Sequence, residues 1–225
     1  MPEAPTAAIT LVLFCRRPGT GKRRLALEIG DAAALAISEG LLASALEDAA
    51  SWPGPCVLSP ADAGDEAWAR ALPVRVDGVV VQPAGNLGER LASVDRTLRS
   101  QGHSRLLYIG SDAPVLDSDY YALARDALAR HDVVLGPALD GGVTCMGARS
   151  PWPDLPDLPW SSEQLHAALE SACLRNGMSV HNLPPRYDVD IAADLDRLCR
   201  DLAADKRPAR RALYRVLGSL GYCQA

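Results

Sequence analysis

At 225 residues, with 48% of them hydrophobic and 23% charged, the chain has the size and composition of one globular domain with a single substantial core. A formal net charge of -5 gives no support for nonspecific nucleic-acid binding, so the expected partners are small molecules or proteins and no nucleic acid polymer. Six scattered cysteines, with no C-x-x-C pair and no histidines at ligand spacing, argue against a zinc site or a disulfide scaffold and fit reduced thiols in a cytoplasm.

Residues 1–8 are expected to be a flexible N-terminus. The apolar run from Ala7 to Cys15 lacks the basic flank of a signal segment and carries Phe14 where a cleavage box needs a small residue. Nothing approaches the length of a membrane span. Strand-like and helix-like segments then alternate, the mark of a layered α/β domain. Ile9 to Phe14 predicts a buried first strand, followed by a glycine-bearing loop with five cations at Arg16, Arg17, Lys22, Arg23 and Arg24. Leu35, Leu41, Leu42 and Leu46 recur at helical spacing within Ala32 to Ala50. Cys56 to Ser59 predicts a second strand, Ala61 to Leu72 a helix and Val79 to Gln82 a third strand. Leu87, Leu91, Val94 and Leu98 step by three and four, so a helix starts near Gly88.

After the strand within Arg105 to Pro114, Tyr121, Ala124 and Leu128 mark a helix ending near His131. Val133 to Gly136 and the weaker Val143 to Ala148 are further strands, with Asp140, Gly141 and Gly142 in the loop between them. A proline-rich loop over Ser150 to Pro159 precedes a helix that Ser161 or Ser162 caps and Gly177 stops. Ser179 to Leu183 is the last strand. Two helical segments follow Arg186 to Asp190, the later being the basic Arg207 to Leu220; the cations of Lys206 to Arg215 read as a solvated face or a docking helix. No linker divides the chain, so residues 1–225 are expected to form one domain, with 205–225 a C-terminal helical extension.

Leu106 to Ile109 is a run of β-formers stopped by Gly110, the pattern of a strand buried on both faces. Asp112 follows just past its carboxyl end, where open parallel α/β sheets bind ligands, and Pro114 stiffens the turn. A carboxylate held there can bind a divalent cation against a diphosphate. Read by itself, it can equally cap the helix that follows. In the basic loop, Gly19, Gly21 and Arg24 fail the dinucleotide fingerprint at its third glycine, and Arg16 and Arg23 stand where a P-loop needs Gly and Ser or Thr. What remains is a strand, a flexible cationic loop and a helix. Glycines permit close backbone approach, and guanidinium groups and an amine favour phosphate.

The motifs FCRRPGTGKRRLA, GNLGERL, GSDAP, GPALDGG, PWSS and DVDIAADL, in this order, resemble the bacterial glycosyltransferase-A-like family of mostly uncharacterised proteins related to 2-phospholactate guanylyltransferase. The resemblance runs from about Leu11 to Leu198. It implies a three-layer α/β/α GT-A fold, like that of nucleotide-diphospho-sugar transferases, with a mostly parallel mixed sheet. By position it implies that Asp112 and Asp190 hold a divalent Mg or Mn ion, and that Arg16 and Lys22 or Arg24 hold phosphates. Gly88, Glu89 and Arg90 would lie beside the nucleotide, and Asp140, Gly141 and Gly142 would face the acceptor or sugar, with Asp112 and Asp140 the catalytic candidates. Asp188, Asp190 and Asp194 also read as charges at a helix start.

The expected activity is metal-dependent glycosyl transfer from a nucleotide-diphospho-sugar to a small-molecule acceptor. The alternatives are nucleotidyl transfer from an NTP with release of pyrophosphate, and a scaffold without catalysis. Departures from the family pattern at Asn86, Val143 and Ile191 to Ala193 bear on the last. Self-association into a homo-oligomer stays open.

Overall fold

The computed structural model describes residues 8–223, so the expected flexible segment 1–8 lies, apart from Ala8, outside the described residues. Strands Ile9–Cys15 (β1), Cys56–Pro60 (β2), Gly78–Val79 (β3), Arg105–Gly110 (β4), Val133–Pro137 (β5), Val143–Ala148 (β6) and Val180–Asn182 (β7) form one sheet in the order β3-β2-β1-β4-β6-β5-β7. β6 runs antiparallel to β4 and β5, and the other pairings are parallel. The helices are Arg23–Ile29 (α1), Asp31–Ser51 (α2), Glu66–Arg70 (α3), Leu87–Ser100 (α4), Ser118–Arg130 (α5), Leu165–Arg175 (α6), Ala192–Leu202 (α7) and Pro208–Ser219 (α8).

The strands alternate sides, which divides the core into two layers. Leu11 and Leu13 of β1, with Leu107 and Ile109 of β4, pack with residues of α2 and α5. Val12, Leu106 and Tyr108 pack with residues of α4 and α6 on the other face. A third cluster joins α1, α2, α7 and α8 through Leu25, Ile37, Leu41, Leu195, Leu198, Leu213 and Leu217. From the central β1–β4 pair, β1 leads out to β2 on one side and β4 towards β5 and β6 on the other. Connections that diverge in this way open a crevice past the carboxyl ends of the two strands. No helix of the described residues is long and apolar enough to cross a membrane.

Several local expectations change. Arg23 and Arg24 belong to α1, so the basic loop ends at Lys22. The helix expected over Ala61 to Leu72 is a 3-10 turn, Ala63–Asp65, followed by the five-residue α3. Val80 and Gln82 still donate their N–H groups to Leu58 and Pro60, continuing the expected third strand past β3 as extended chain. α6 begins at Leu165, later than Ser161 or Ser162 would have it. Leu35 is 40% exposed, and Ile37, Leu41 and Leu42 carry the buried face of α2.

The basic terminal helix is solvated at Arg211 and Arg215, but its apolar face and one of its cations are buried, so it is not a free docking element. Leu213, Leu217 and Arg210 of α8 are 0% exposed. The Arg210 guanidinium donates to the carbonyls of Ser44, Pro114 and Leu116 and to the carboxylates of Glu47 and Asp48. Cys199 and Cys223 form a disulfide, their Cα atoms 5.5 Å apart, while Cys15, Cys56, Cys145 and Cys173 are free and buried. The expectation of reduced thiols throughout therefore fails at this pair, which the packing of α7 on α8 brings together across 24 residues of sequence.

Candidate functional site

β4 delivers Asp112 to the crevice. The turn is tight: a Cβ on Gly110 would lie 2.5 Å from Asp112 Oδ1, which is why glycine stands there. The cap of α5 is Asp117, whose side chain accepts the Tyr120 N–H at 2.8 Å, so the reading of Asp112 as a helix cap is overturned. The distant segment 187–190 is pinned alongside by the Val189 N–H, which donates to the Asp112 carbonyl at 2.9 Å. Tyr187 and Val189 turn into the core. In extended chain the residues that alternate with them, Asp188 and Asp190, face the other way, towards Asp112. One carboxylate oxygen from each of Asp112, Asp188 and Asp190 lies within 4.8 Å of the others. Asp194 is the helix-start residue of this group: it accepts the N–H groups of Asp190 and Ile191 at 2.8 and 2.9 Å, ahead of α7.

Lys22 reaches into this cluster from the amino-terminal loop. Its Nζ donates to Asp190 Oδ1 at 2.6 Å and to Asp112 Oδ2 at 3.0 Å, with the side chain 15% exposed. Burial alone would push the ammonium down, but the two carboxylates hold it above the ordinary lysine value. Asp188 is pushed up to about 7 by burial and by the charges of Asp112, Asp190 and Asp140, against the pull of Lys22. One ammonium therefore leaves the trio short of positive charge. Oxygen donors alone, close together, with a cation already between two of them, fit a hard divalent ion.

Two cavities meet at this point and share Arg16, Ser111 and Asp112. The first, about 430 Å³, is basic and lies against Arg17, Lys22, Arg23 and Arg24. The second, about 470 Å³, runs between Phe14, Leu87, Leu91 and Met146, with Gln82, Arg90, Thr144, Ser161 and Asp188 supplying polar groups. Gln82 is 6% exposed, and its Nε2 donates to the Ser59 carbonyl at 2.7 Å. That bond fixes the amide orientation and leaves Oε1 as the acceptor available to the cavity.

Of the residues singled out from sequence, Arg16, Lys22, Arg24, Arg90, Asp112 and Asp190 line one or both cavities. Arg90 Nε is held by the Gly85 carbonyl at 2.8 Å. Gly88 lines neither cavity: a Cβ there would strike Trp160 and the Leu155 carbonyl, so its smallness serves packing. Glu89 accepts the Asn86 N–H at 2.7 Å while Asn86 accepts that of Glu89, a capping box at the start of α4. Asp140, Gly141 and Gly142 form the turn between β5 and β6. Asp140 is exposed and accepts the Gly142 N–H at 2.9 Å, and Gly141, at φ 87°, packs on the Glu163 backbone.

By sequence alone Asp188 is a helix-start charge and Ser161 a helix cap, and nothing marks Gln82 or Ser111 as site residues. The signal for Asp188 was present in the alternation Tyr187, Asp188, Val189, Asp190, which places both carboxylates on one side of an extended segment.

The fold is that of nucleotide-diphospho-sugar transferases. A candidate nucleotide-diphospho-sugar transferase from Desulfovibrio desulfuricans G20 superposes with a TM-score of 0.85 at 23% identity, over 95% of this chain and 96% of its own. A cytidylyltransferase from Leptospira borgpetersenii matches at a TM-score of 0.55 and 15% identity, over 97% and 98% of the two chains. Rv0371c from Mycobacterium tuberculosis H37Rv, in complex with manganese, matches at 0.52 and 17%, over 86% and 98%. No curated protein sequence matches the chain. Residues 42–162 match the model of a family described as uncharacterized proteins conserved in bacteria, DUF2064, and the chain belongs to that family.

Proposed function

We propose that the protein is a metal-dependent transferase that takes a nucleotide-diphospho-sugar and passes its glycosyl group to a small-molecule acceptor. The observation that carries this reading is the convergence of Asp112, Asp188 and Asp190 between a basic cavity and a larger, mostly apolar-walled one. A flat base fits between Phe14, Leu87 and Leu91, where Gln82 Oε1 accepts from a base N–H and Arg90 lies near the ribose end. The diphosphate then crosses the shared lip, where Arg16 and Lys22 meet its charge.

Asp112, Asp188 and Asp190 would hold Mg or Mn, which when bound supplies charge neutralisation at the diphosphate. Arg16 and the cations behind it stabilise the negative charge that grows on the leaving group. Asp140, exposed and engaged with Gly142, contributes through its field on Asp188 rather than by contact.

One observation favours nucleotidyl transfer as a second reading. The basic cavity lies beyond the aspartates from the larger one, and four arginines and Lys22 suit a departing pyrophosphate. Titration calorimetry with UDP, GDP, GTP and CTP, with and without manganese, tests both. Binding of a nucleoside diphosphate that depends on manganese supports glycosyl transfer. Preference for a triphosphate, with pyrophosphate released in the presence of acceptor extracts, supports the alternative. No binding of any of them overturns both.

A further inference from the structure

Lys22 holds a position that a phosphate-binding residue alone does not require. Its backbone is left-handed, φ 54° and ψ 39°, a conformation that costs a side-chain-bearing residue and that only Ser161 shares among the described non-glycine residues. That backbone aims the side chain away from the open loop and into the aspartates. The two ion pairs to Asp112 and Asp190 link the amino-terminal loop to residues 90 and 168 positions away.

We propose that Lys22 is the resident counter-ion of the Asp112, Asp188 and Asp190 cluster, and that a divalent cation binds tightly only together with a nucleotide whose phosphates take the ammonium over. This rests on the metal and nucleotide reading given above.

The geometry carries the exchange in three steps. A divalent ion bonded to these carboxylates sits roughly 2.0–2.6 Å from their oxygens. Nζ lies 2.6 and 3.0 Å from oxygens of the same two groups, so the ion and the ammonium would stand within a few ångströms of each other. Like charges at that separation repel, so each weakens the other's hold on the carboxylates.

A displaced ammonium swings into a cavity whose charged groups, apart from Asp112 and Asp190, are the cations Arg16, Arg17, Arg23 and Arg24, so a bound anion is what favours it there. Gly19, at φ 87°, and Gly21 precede Lys22, so the loop has the backbone freedom to re-aim it. Metal without nucleotide therefore works against the lysine, whereas metal with nucleotide gives it a new partner. The coupling is reciprocal, so nucleotide binds better with metal by the same factor.

The test is manganese binding to the full chain at pH 8, read by electron paramagnetic resonance, first with manganese alone and then with UDP, GDP or CDP present. The wild type should bind manganese weakly by itself and about tenfold or more tightly with the nucleotide it accepts. Lys22→Met should bind manganese alone about tenfold more tightly than the wild type, and its gain from nucleotide should shrink by a similar factor. Lys22→Gly, which also relieves the left-handed backbone, should behave like Lys22→Met, and Lys22→Arg should keep the weak metal-only binding.

If both neutral variants fold, as judged by circular dichroism, and bind manganese no more tightly than the wild type while the wild type binds metal and nucleotide, the exchange is refuted and the site reading survives. If no form binds manganese under any condition, the metal site itself fails and the exchange with it.

Discussion

Asp188→Asn isolates the strain that the carboxylate cluster carries without metal. The folded protein holds the Asp188 proton up to about 7, against an ordinary value of 3.8. Such a group contributes stability that is complete below the unfolded value and is lost as pH rises through the folded one. The loss therefore falls between about pH 4 and pH 7.

At 1.36 kcal/mol per unit, a displacement of roughly 3 units sets a ceiling of about 4 kcal/mol. Asp188 lines an open cavity and is only partly buried, so solvent screening brings the expected effect to about 2 kcal/mol. Asparagine keeps the shape and removes the titration. In urea denaturation with a chelator present, the variant should exceed the wild type by about 2 kcal/mol more at pH 8.5 than at pH 4, or several degrees in Tm. Manganese together with a nucleoside diphosphate should reverse the order, since only the wild type keeps all three carboxylates. A variant less stable than the wild type at pH 8.5, relative to pH 4, would refute the reasoning, because Lys22 would then more than satisfy the cluster.

Arg210→Met takes from Asp48, which is 9% exposed, its shortest cationic contact, leaving it Arg207 and the Tyr121 hydroxyl, and removes donors that brace the Ser44, Pro114 and Leu116 carbonyls. The expected cost is about 3–5 kcal/mol by thermal or chemical denaturation, and a loss under about 1 kcal/mol would contradict the buried-hub reading. Gly88→Ala drives a methyl into Trp160 and the Leu155 carbonyl and should cost about 1–3 kcal/mol, with a change in tryptophan fluorescence and little effect on manganese affinity. Gln82→Leu removes the acceptor from the larger cavity. It should weaken nucleoside diphosphate binding by about tenfold and leave pyrophosphate binding unchanged, and equal loss for both would argue against a base contact.

The centre of the sheet was legible because its strands are short apolar runs, β4 closed by Gly110 and β2 by Pro60. Ile9 to Phe14 and Leu106 to Ile109 need both faces covered and have no other stable place. α1 escaped because Arg23 and Arg24 read as loop cations; what makes it a helix is Leu25 docking into the cluster with Ile37 and Leu195, a tertiary cause. The apolar wall of α2 was misjudged at Leu35, since a long helix that is apolar nearly all round does not declare its inner face. α8 was misread because its cations hide a buried one: Arg210 is inside only because Glu47, Asp48 and three carbonyls converge on it from elsewhere in the chain.

In the candidate site, Asp112, Asp190 and the basic loop could be singled out by motif. Their mutual distances could not, because the Val189 to Asp112 backbone bond and the reach of Lys22 link segments far apart in the chain.

The most direct test of the account is anomalous diffraction from crystals soaked with manganese and a nucleoside diphosphate. A manganese peak is expected among Asp112, Asp188 and Asp190, with the base against Gln82 in the larger cavity and Lys22 Nζ on a phosphate oxygen. A manganese peak away from these three carboxylates, or a base seated among Arg17, Arg23 and Arg24, would contradict it.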